Sequence, residues 1–322
     1  MVMTGTDIIV DWLSFTCQSL SPQQLIARLG LADMPWIALH GTNGYQDRFA
    51  FLNISVHFNG RPGMGTWFEM TGQGCRAFED LSNLDWNSLF RWLTSDSSVH
   101  VTRLDVTCDD RIGVLPMKSI VKDIERGNYI SKMKKREIVR SGSDERLQGT
   151  TVTLGSPQSQ VRIRLYDKAA ELEKPEQHWI RCEMQLRDDR AHSFMARSMS
   201  TTIGHTYTGV LSNYLKILRP IKEDSNKSRW PMRRYWRRFI NNAERISIFS
   251  QAEAIYTAEQ CRNYVYNIAG NAIAAAIELD GVDGFLYRIA HREIRPNPKY
   301  EQMLYNHAAR KAAISGSGDG AS

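Results

Sequence analysis

Three stretches of this chain carry ionisable groups at every second position, the spacing that puts side chains on one face of a β-strand. In Val99–Asp110, Arg103, Asp105, Thr107 and Asp109 share one side, and Leu104, Val106 and Cys108 share the other. In 160–168, Arg162, Arg164 and Tyr166 alternate with Val161, Ile163 and Leu165, and Lys168 joins the polar side if the strand continues. In 179–187, Arg181, Glu183, Gln185 and Arg187 alternate with Ile180, Cys182, Met184 and Leu186. Any one of these could be an ordinary amphipathic strand with a solvated face. Taken together, the polar sides hold many arginines, carboxylates in two of the three, and a single tyrosine. If the strands are neighbours, that inventory suits phosphoryl transfer. Carboxylates hold a hard divalent cation through oxygen, guanidiniums clamp phosphate with paired hydrogen bonds, and a phenol can serve as nucleophile.

Other chemistries are disfavoured. No Walker A sequence is present, and the glycines of 60–65 and 72–74 have the wrong spacing for one, which predicts turns at both places. The eight histidines include no pair flanking an apolar residue, so an all-carboxylate or mostly carboxylate site is expected, with His57 structural. The five cysteines are odd in number and form no CxxC pair, which argues against both a zinc site and a disulfide framework. Each thiol is expected to be a small buried hydrophobe in a reducing cytoplasm. Neither a secretory leader nor a membrane span is recognisable. A net charge of +6 favours an anionic partner, most simply nucleic acid.

The strings RLDVTCDD (103–110), RIRLYDKAAELE (162–173) and RCEMQLR (181–187) resemble the Rep_trans family, the replication initiators of rolling-circle plasmids and filamentous phages, with related relaxases of integrative elements. TGQGCRAFE (71–79), SRW (228–230) and YWRRF (235–239) extend the resemblance, which runs from about Ile9 to Phe239. It implies Tyr166, the tyrosine of a YxK motif, as nucleophile. It implies Asp105, Glu183 and Asp109 or Asp110 as ligands of Mg²⁺ or Mn²⁺; strand alternation favours Asp109 unless a bulge intervenes. It also implies nicking of one strand at a hairpin-forming origin, a 5′-phosphotyrosine link and a free 3′ hydroxyl. A phenol ionises near pH 10, so Lys168 and Arg164 are expected to favour its ionised form. Arg103, Arg162, Arg181 and Arg187 are expected to contact DNA.

The elements that must position these groups form an α+β fold, a largely antiparallel central sheet with flanking helices, followed by a C-terminal helical region. Residues 1–221 read as the nicking and joining domain, 222–313 as a helical, basic, DNA-contacting region, and 314–322 as a disordered tail. Between Lys222 and Arg245 stand eight basic residues against three acidic ones. Helical spacing over 232–242 puts Arg233, Arg234, Arg237 and Arg238 on one flank, with Pro231 at the first turn and Tyr235, Trp236, Phe239 and Ile240 on an apolar flank. Thr257 and Gln260 fit a capping box opening a helix over 258–279, and 269–277 is either a packing helix or an oligomerisation surface.

The sequence therefore predicts a metal-dependent, site-specific DNA nicking and joining enzyme that initiates rolling-circle replication. Its partners would be origin DNA, duplex with a single-stranded or hairpin nick site, and a host helicase; a homodimer is left open. A relaxase of an integrative or conjugative element with the same chemistry, and a non-catalytic sequence-specific DNA-binding protein, are the alternatives.

Overall fold

The structure, a computed structural model, describes residues 6–143, 146–174, 177–245, 262, 265–266 and 269–291. The first half holds β1 (Thr6–Cys17), α1 (Pro22–Arg28), β2 (Ile37–His40), β3 (Asp47–Phe51), β4 (Ile54–Phe58), β5 (Thr66–Thr71), α2 (Gly72–Leu81), α3 (Trp86–Ser95) and β6 (Val99–Asp110). There follow α4 (Met117–Glu125), β7 (Tyr129–Ser131), β8 (Arg136–Ser143), β9 (Arg146–Leu154), β10 (Val161–Asp167), α5 (Lys168–Glu171), β11 (Ile180–Arg187), α6 (Asp188–Ser200), α7 (Ile203–Tyr214), β12 (Leu215–Ile217), α8 (Arg234–Arg245) and α9 (Gly270–Ala290).

Ten strands form one sheet in the order β2-β3-β4-β5-β1-β6-β11-β10-β9-β8, and β12 pairs with β7 in a small second sheet. Every described pairing is antiparallel. The expected α+β architecture is what the chain forms. β6, β11 and β10, the three strands singled out by their polar faces, lie side by side at its centre.

One face of the sheet is the core. Val10, Leu13, Phe15, Val56, Phe68, Leu104, Val106, Met184, Ile163 and Val152 are buried in a single cluster with Leu25, Phe78, Phe90, Met195, Tyr207 and Trp236 from the helices. Two register shifts explain why the apolar pattern changes parity within strands. β1 skips at Asp11, between Val10 and Trp12, and β6 skips at Thr102, where Ser14 pairs Arg103 and Phe15 pairs Val101. Each bulge inserts one residue, so Ile8 and Val10 face the same side as Leu13 and Phe15.

Local chemistry sets the helix starts. Ser21 and Gln24 form a reciprocal capping box at α1, with Pro22 in its first turn. Asp85 caps α3 through Ser88 N–H, and Thr202 caps α7 through His205 N–H.

Several expectations are corrected. The glycines of 72–74 open α2 instead of making a turn. A Cβ on Gly74 would stand 2.2 Å from Asn53 O, so glycine there permits the close approach of helix and hairpin. Residues 47–58 form two strands, β3 and β4, joined where Leu52 takes a φ of 51°. The strongest correction concerns the domain boundary at residue 221. The chain divides into two compact units, Met1–Ser250 and Gln251–Ser322. The helix expected from residue 232 starts at Arg234, packs on α7 and β1, and buries Trp236 and Phe239 in the sheet's core. In the second unit α9 bends at Gly281, whose φ is 72°. The Thr257–Gln260 pair, residues 292–313 and the tail lie outside the described residues. No described helix is long and apolar enough to cross a membrane.

Trp236 is 0% exposed, its indole N–H donates to Leu215 O at 3.3 Å, and its ring lies 5.6 Å from that of Phe239. Trp236→Ala should therefore destabilise the sheet unit by about 3–5 kcal/mol, read as a lower denaturant midpoint for the whole unit. A separately folded region beginning at residue 222 would leave that midpoint in place.

Candidate active site on the polar face of the sheet

The register sets the polar side chains of β10, β11 and β6 in three rungs. Tyr166, Arg181 and Asp109 share one, Arg164, Glu183 and Thr107 the next, and Arg162, Gln185 and Asp105 the third. Arg103 and Arg187 pair across the following position. All the expected strand residues are thus brought onto one surface.

Within it, arginines and carboxylates neutralise one another. Arg181 is buried and forks onto Asp109, Nε to Oδ1 at 2.6 Å and Nη2 to Oδ2 at 2.8 Å. Its remaining nitrogen reaches Asp11, the residue extruded by the β1 bulge, at 2.9 Å. Arg164 gives Glu183 three hydrogen bonds of 2.6 to 3.0 Å. Arg103 grips Asp105 through Nε at 2.9 Å and Nη2 at 2.5 Å, and stacks on Trp12 with its guanidinium carbon 3.9 Å from the ring centre. Gln185, with its amide oxygen turned inward, accepts from Arg103 Nε at 2.7 Å and from Arg187 Nη2 at 3.2 Å.

Tyr166 lies beside this network. Its phenol donates toward Glu183 Oε2 at 3.4 Å, with Arg164 and Lys168 at 5.5 and 5.8 Å from the ring centre. It borders an open cavity of about 290 Å³ lined also by Ser141, Thr151, Arg164 and Glu171. Burial, reinforced by the Glu183 charge, holds the phenol above its usual pKa despite Arg181 and Arg164. Arg164 acts in the expected direction but is outweighed by burial and by Glu183, on which it spends its donors, and Lys168 pairs with Glu171 at 3.0 Å.

The carboxylates divide into two kinds. Asp105 and Glu183, only 3% and 4% exposed, feel each other's charge. Burial and the nearby Glu183 push Asp105 up to about 6 although Arg103 opposes the shift. Asp109 is committed to Arg181. Asp110 faces the apolar side, where it accepts from Ile112 N, Leu115 N and His178 Nε2 and so fixes the loop after β6. Alternation thus put Asp109 on the polar face correctly, yet Asp109 does not join the other two acids. Among the described residues, no three His, Cys, Asp or Glu side chains are grouped to hold one ion. Asp105 and Glu183 present the hard oxygen donors that a cation such as Mg²⁺ takes, but each is already held by a guanidinium.

Of the arginines expected to touch DNA, Arg162 and Arg187 are half-buried on the same face, and their Nε groups find no acceptor in the protein. Arg234, Arg237 and Arg238 are exposed along α8. Arg233 is removed from that set. It precedes the helix and pairs with buried Asp123 at 2.6 Å, a carboxylate that also accepts from Tyr235 at 2.9 Å. Both contacts serve to dock α8.

Sequence reasoning missed Asp11, whose role depends on a bulge, and Trp12 and Gln185, read as plain strand residues. His57 sits as the structural histidine that was expected. This ring is 2% exposed and stacks on Trp67 at 4.4 Å, with Arg48 across the strand pair. Burial and then the Arg48 charge lower its pKa to about 4, so it is neutral at neutral pH. An unfolded histidine binds its proton near 6.5, so folding loses stability as pH falls from about 6.5 to 4. Against a His57→Gln variant, the wild-type protein should lose about 2 kcal/mol more across that window, measured by denaturant unfolding at each pH. Parallel curves would show that His57 keeps an ordinary pKa.

Comparison with known proteins agrees with this surface. Residues 99–287 match the Rep_trans replication initiation factor family, and residues 7–92 match the N-terminal domain of rolling-circle replication initiation proteins. A Bacillus subtilis (strain 168) protein bearing the name DNA relaxase NicK is 24% identical over 283 residues, which cover 82% of this chain and 78% of that one. The structure of a rolling-circle replication initiator protein from Geobacillus stearothermophilus superposes with a TM-score of 0.71 at 31% identity, covering 76% of this chain and 98% of that one. The strands β6, β11 and β10 all fall within the first of these matches, and the chain belongs to the Rep_trans family of replication initiation factors.

Proposed function

We propose that this protein nicks one strand of a replication origin and remains joined to it through Tyr166. The observation that carries the reading is the phenol at the rim of an open cavity, aimed at Glu183 and next to arginines that recognise phosphate. In the step proposed, Tyr166 Oη attacks the scissile phosphorus and its proton passes to Glu183. The bond from phosphorus to the 3′ oxygen breaks, the 5′ phosphate stays on tyrosine, and the 3′ oxygen leaves as a hydroxyl after taking a proton. One phosphodiester is exchanged for another, so no nucleotide is consumed.

Arg164 orients Glu183 for that transfer, and Arg162 and Arg187 line the approach of the DNA backbone, whereas Arg181, buried and committed to Asp109 and Asp11, does not. Lys168 sits where its charge offsets negative charge gathering at the phosphate. Mg²⁺ or Mn²⁺ held by Asp105 and Glu183 would supply Lewis-acid stabilisation of the phosphate. Arg234, Arg237 and Arg238 form a separate exposed row suited to duplex phosphates, and a host helicase would act on the nicked product. The similarity to the protein bearing the name DNA relaxase supports a second reading, an element relaxase using the same residues at a transfer origin.

Supercoiled plasmid carrying the cognate origin, incubated with Mg²⁺ or Mn²⁺, should yield relaxed circles and a covalent protein–DNA adduct. Tyr166→Phe should abolish the adduct and cut nicking by about 1,000-fold or more while leaving DNA binding intact. Asp105→Asn and Glu183→Gln should each reduce nicking by about 100-fold or more. An adduct that survives in Tyr166→Phe would move the nucleophile. Tyr207 is fully buried and Tyr235 is bonded to Asp123, so half-buried Tyr214 would be tried first. A wild-type protein that binds the origin but neither relaxes it nor forms an adduct would instead be a non-catalytic DNA-binding protein.

A further inference from the structure

The run Lys132, Lys134, Lys135 belongs to none of the strands that build the active site, yet it is held in place. Lys132 N–H donates to Tyr214 O at 3.2 Å, and Met133 N–H to Ser131 Oγ at 3.0 Å. Lys135 O accepts from Gly155 N–H at 2.8 Å, which ties the run to the turn between β9 and β10. Gly155 has a φ of 95°, and a Cβ there would stand 2.8 Å from Val161 O, so the turn requires glycine. Lys132 is steered as well as charged: its Nζ donates to Asn213 Oδ1 at 2.7 Å and lies 5.5 Å from the centre of the Tyr214 ring.

Between these walls runs a groove of about 390 Å³. Lys132, Lys134, Lys135 and Arg190 bring four positive charges to it, Ser156 and Ser159 line the turn side, and among the described residues no carboxylate lines it. Of the two acids just ahead of Arg190, Asp188 pairs with His100 at 3.3 Å and Asp189 does not line the groove. A solvated surface normally mixes signs, whereas this one concentrates a single sign around hydroxyls that can bond phosphate oxygens.

We propose that this groove is a second nucleic-acid site, binding the sugar–phosphate backbone of duplex DNA. It lies at the start of β10, on the side covered by α6 and α7, whereas Tyr166 is near that strand's end on the polar face, five residues on, which at strand rise is about 17 Å. Met133 and Tyr214 are the groove's only large apolar side chains, less than the aromatic anchors that a protein partner uses. The proposal rests on the reading that this chain handles DNA, but not on the nucleophile's identity.

The test uses the full chain carrying Lys132→Gln, Lys134→Gln and Lys135→Gln together, and a labelled duplex of about 30 base pairs of arbitrary sequence, because backbone contacts ignore sequence. Binding is measured between roughly 50 and 200 mM salt. The slope of log affinity against log salt should become shallower by about two to three, with affinity at low salt reduced about 10-fold or more. Tyr166→Phe, run in parallel, should keep the wild-type slope. An unchanged slope in the triple variant, with an unchanged melting temperature, overturns the groove and leaves the nicking chemistry untouched. Loss of slope in the triple variant while Tyr166→Phe still forms an adduct upholds the groove and overturns the nucleophile. If duplex binding is unchanged but affinity for polyglutamate falls, the groove faces an acidic protein and the proposal fails.

Discussion

Burying carboxylates on a sheet requires a cation for each of them, and here Arg181, Arg164 and Arg103 provide it for Asp109, Glu183 and Asp105. Breaking one such pair strands a charge in a poorly solvated place, at a cost of about 3–5 kcal/mol. Two of the pairs act as a latch between strands, Arg181–Asp109 joining β11 to β6 and Arg164–Glu183 joining β10 to β11, whereas Arg103–Asp105 lies within β6. β1 reaches the network through Asp11, β6 through Asp105 and Asp109, β11 through Arg181 and Glu183, and β10 through Arg164. The hydrophobic face alone would tolerate a strand slipped by two residues, since its period is two. The ion pairs would not, because a two-residue slip of β11 against β6 would set Glu183 opposite Asp109 or Asp105. Register and active-site geometry are fixed by the same contacts.

The same constraint explains what was legible in the sequence. Alternation over Arg103–Asp110, Val161–Asp167 and Ile180–Arg187 revealed both the strands and their polar faces, because each is packed on one side by core and on the other by charged partners. At the sheet's edges that rule gives no signal. β2 is exposed at all four positions, Ile37 and Leu39 among them, and most of the described side chains of β8 are exposed as well, so neither strand carries a pattern to read. Bulges defeat it differently. The skip at Asp11 breaks the alternation of β1 and turns a mid-strand acid into the second partner of Arg181.

Charge runs misled where tertiary pairing overrode them. Four arginines around residues 233–238 looked equivalent, but Asp123, buried more than 100 residues earlier in the chain, withdraws one of them. No local pattern marks that acid, since it lies in α4 as an ordinary helical residue whose partners arrive later. The domain boundary failed for the same reason. Polar residues from Lys222 onward do form a connection, yet Trp236 and Phe239 beyond it complete the core beneath the sheet. A linker's composition shows that the chain crosses solvent, and says nothing about where it returns.

The pairing also constrains how the site can act. Arg164 and Arg103 cannot give their donors fully to a carboxylate and to a phosphate at once, so an arriving backbone competes for guanidiniums that are already engaged. Arg103 has an alternative acceptor in Gln185 and a stacking surface in Trp12, so its place is kept even when Asp105 is given up. Arg162 and Arg187 each have a buried Nε that meets no acceptor among the described residues. Tyr166 follows the same logic in reverse. Its phenol is held protonated by burial and by the negative charge of Glu183, so anything that neutralises Glu183 more completely lowers the cost of ionising the tyrosine. Phenol and carboxylate are thereby coupled: after burial itself, the charge of Glu183 is what most holds the proton on Tyr166.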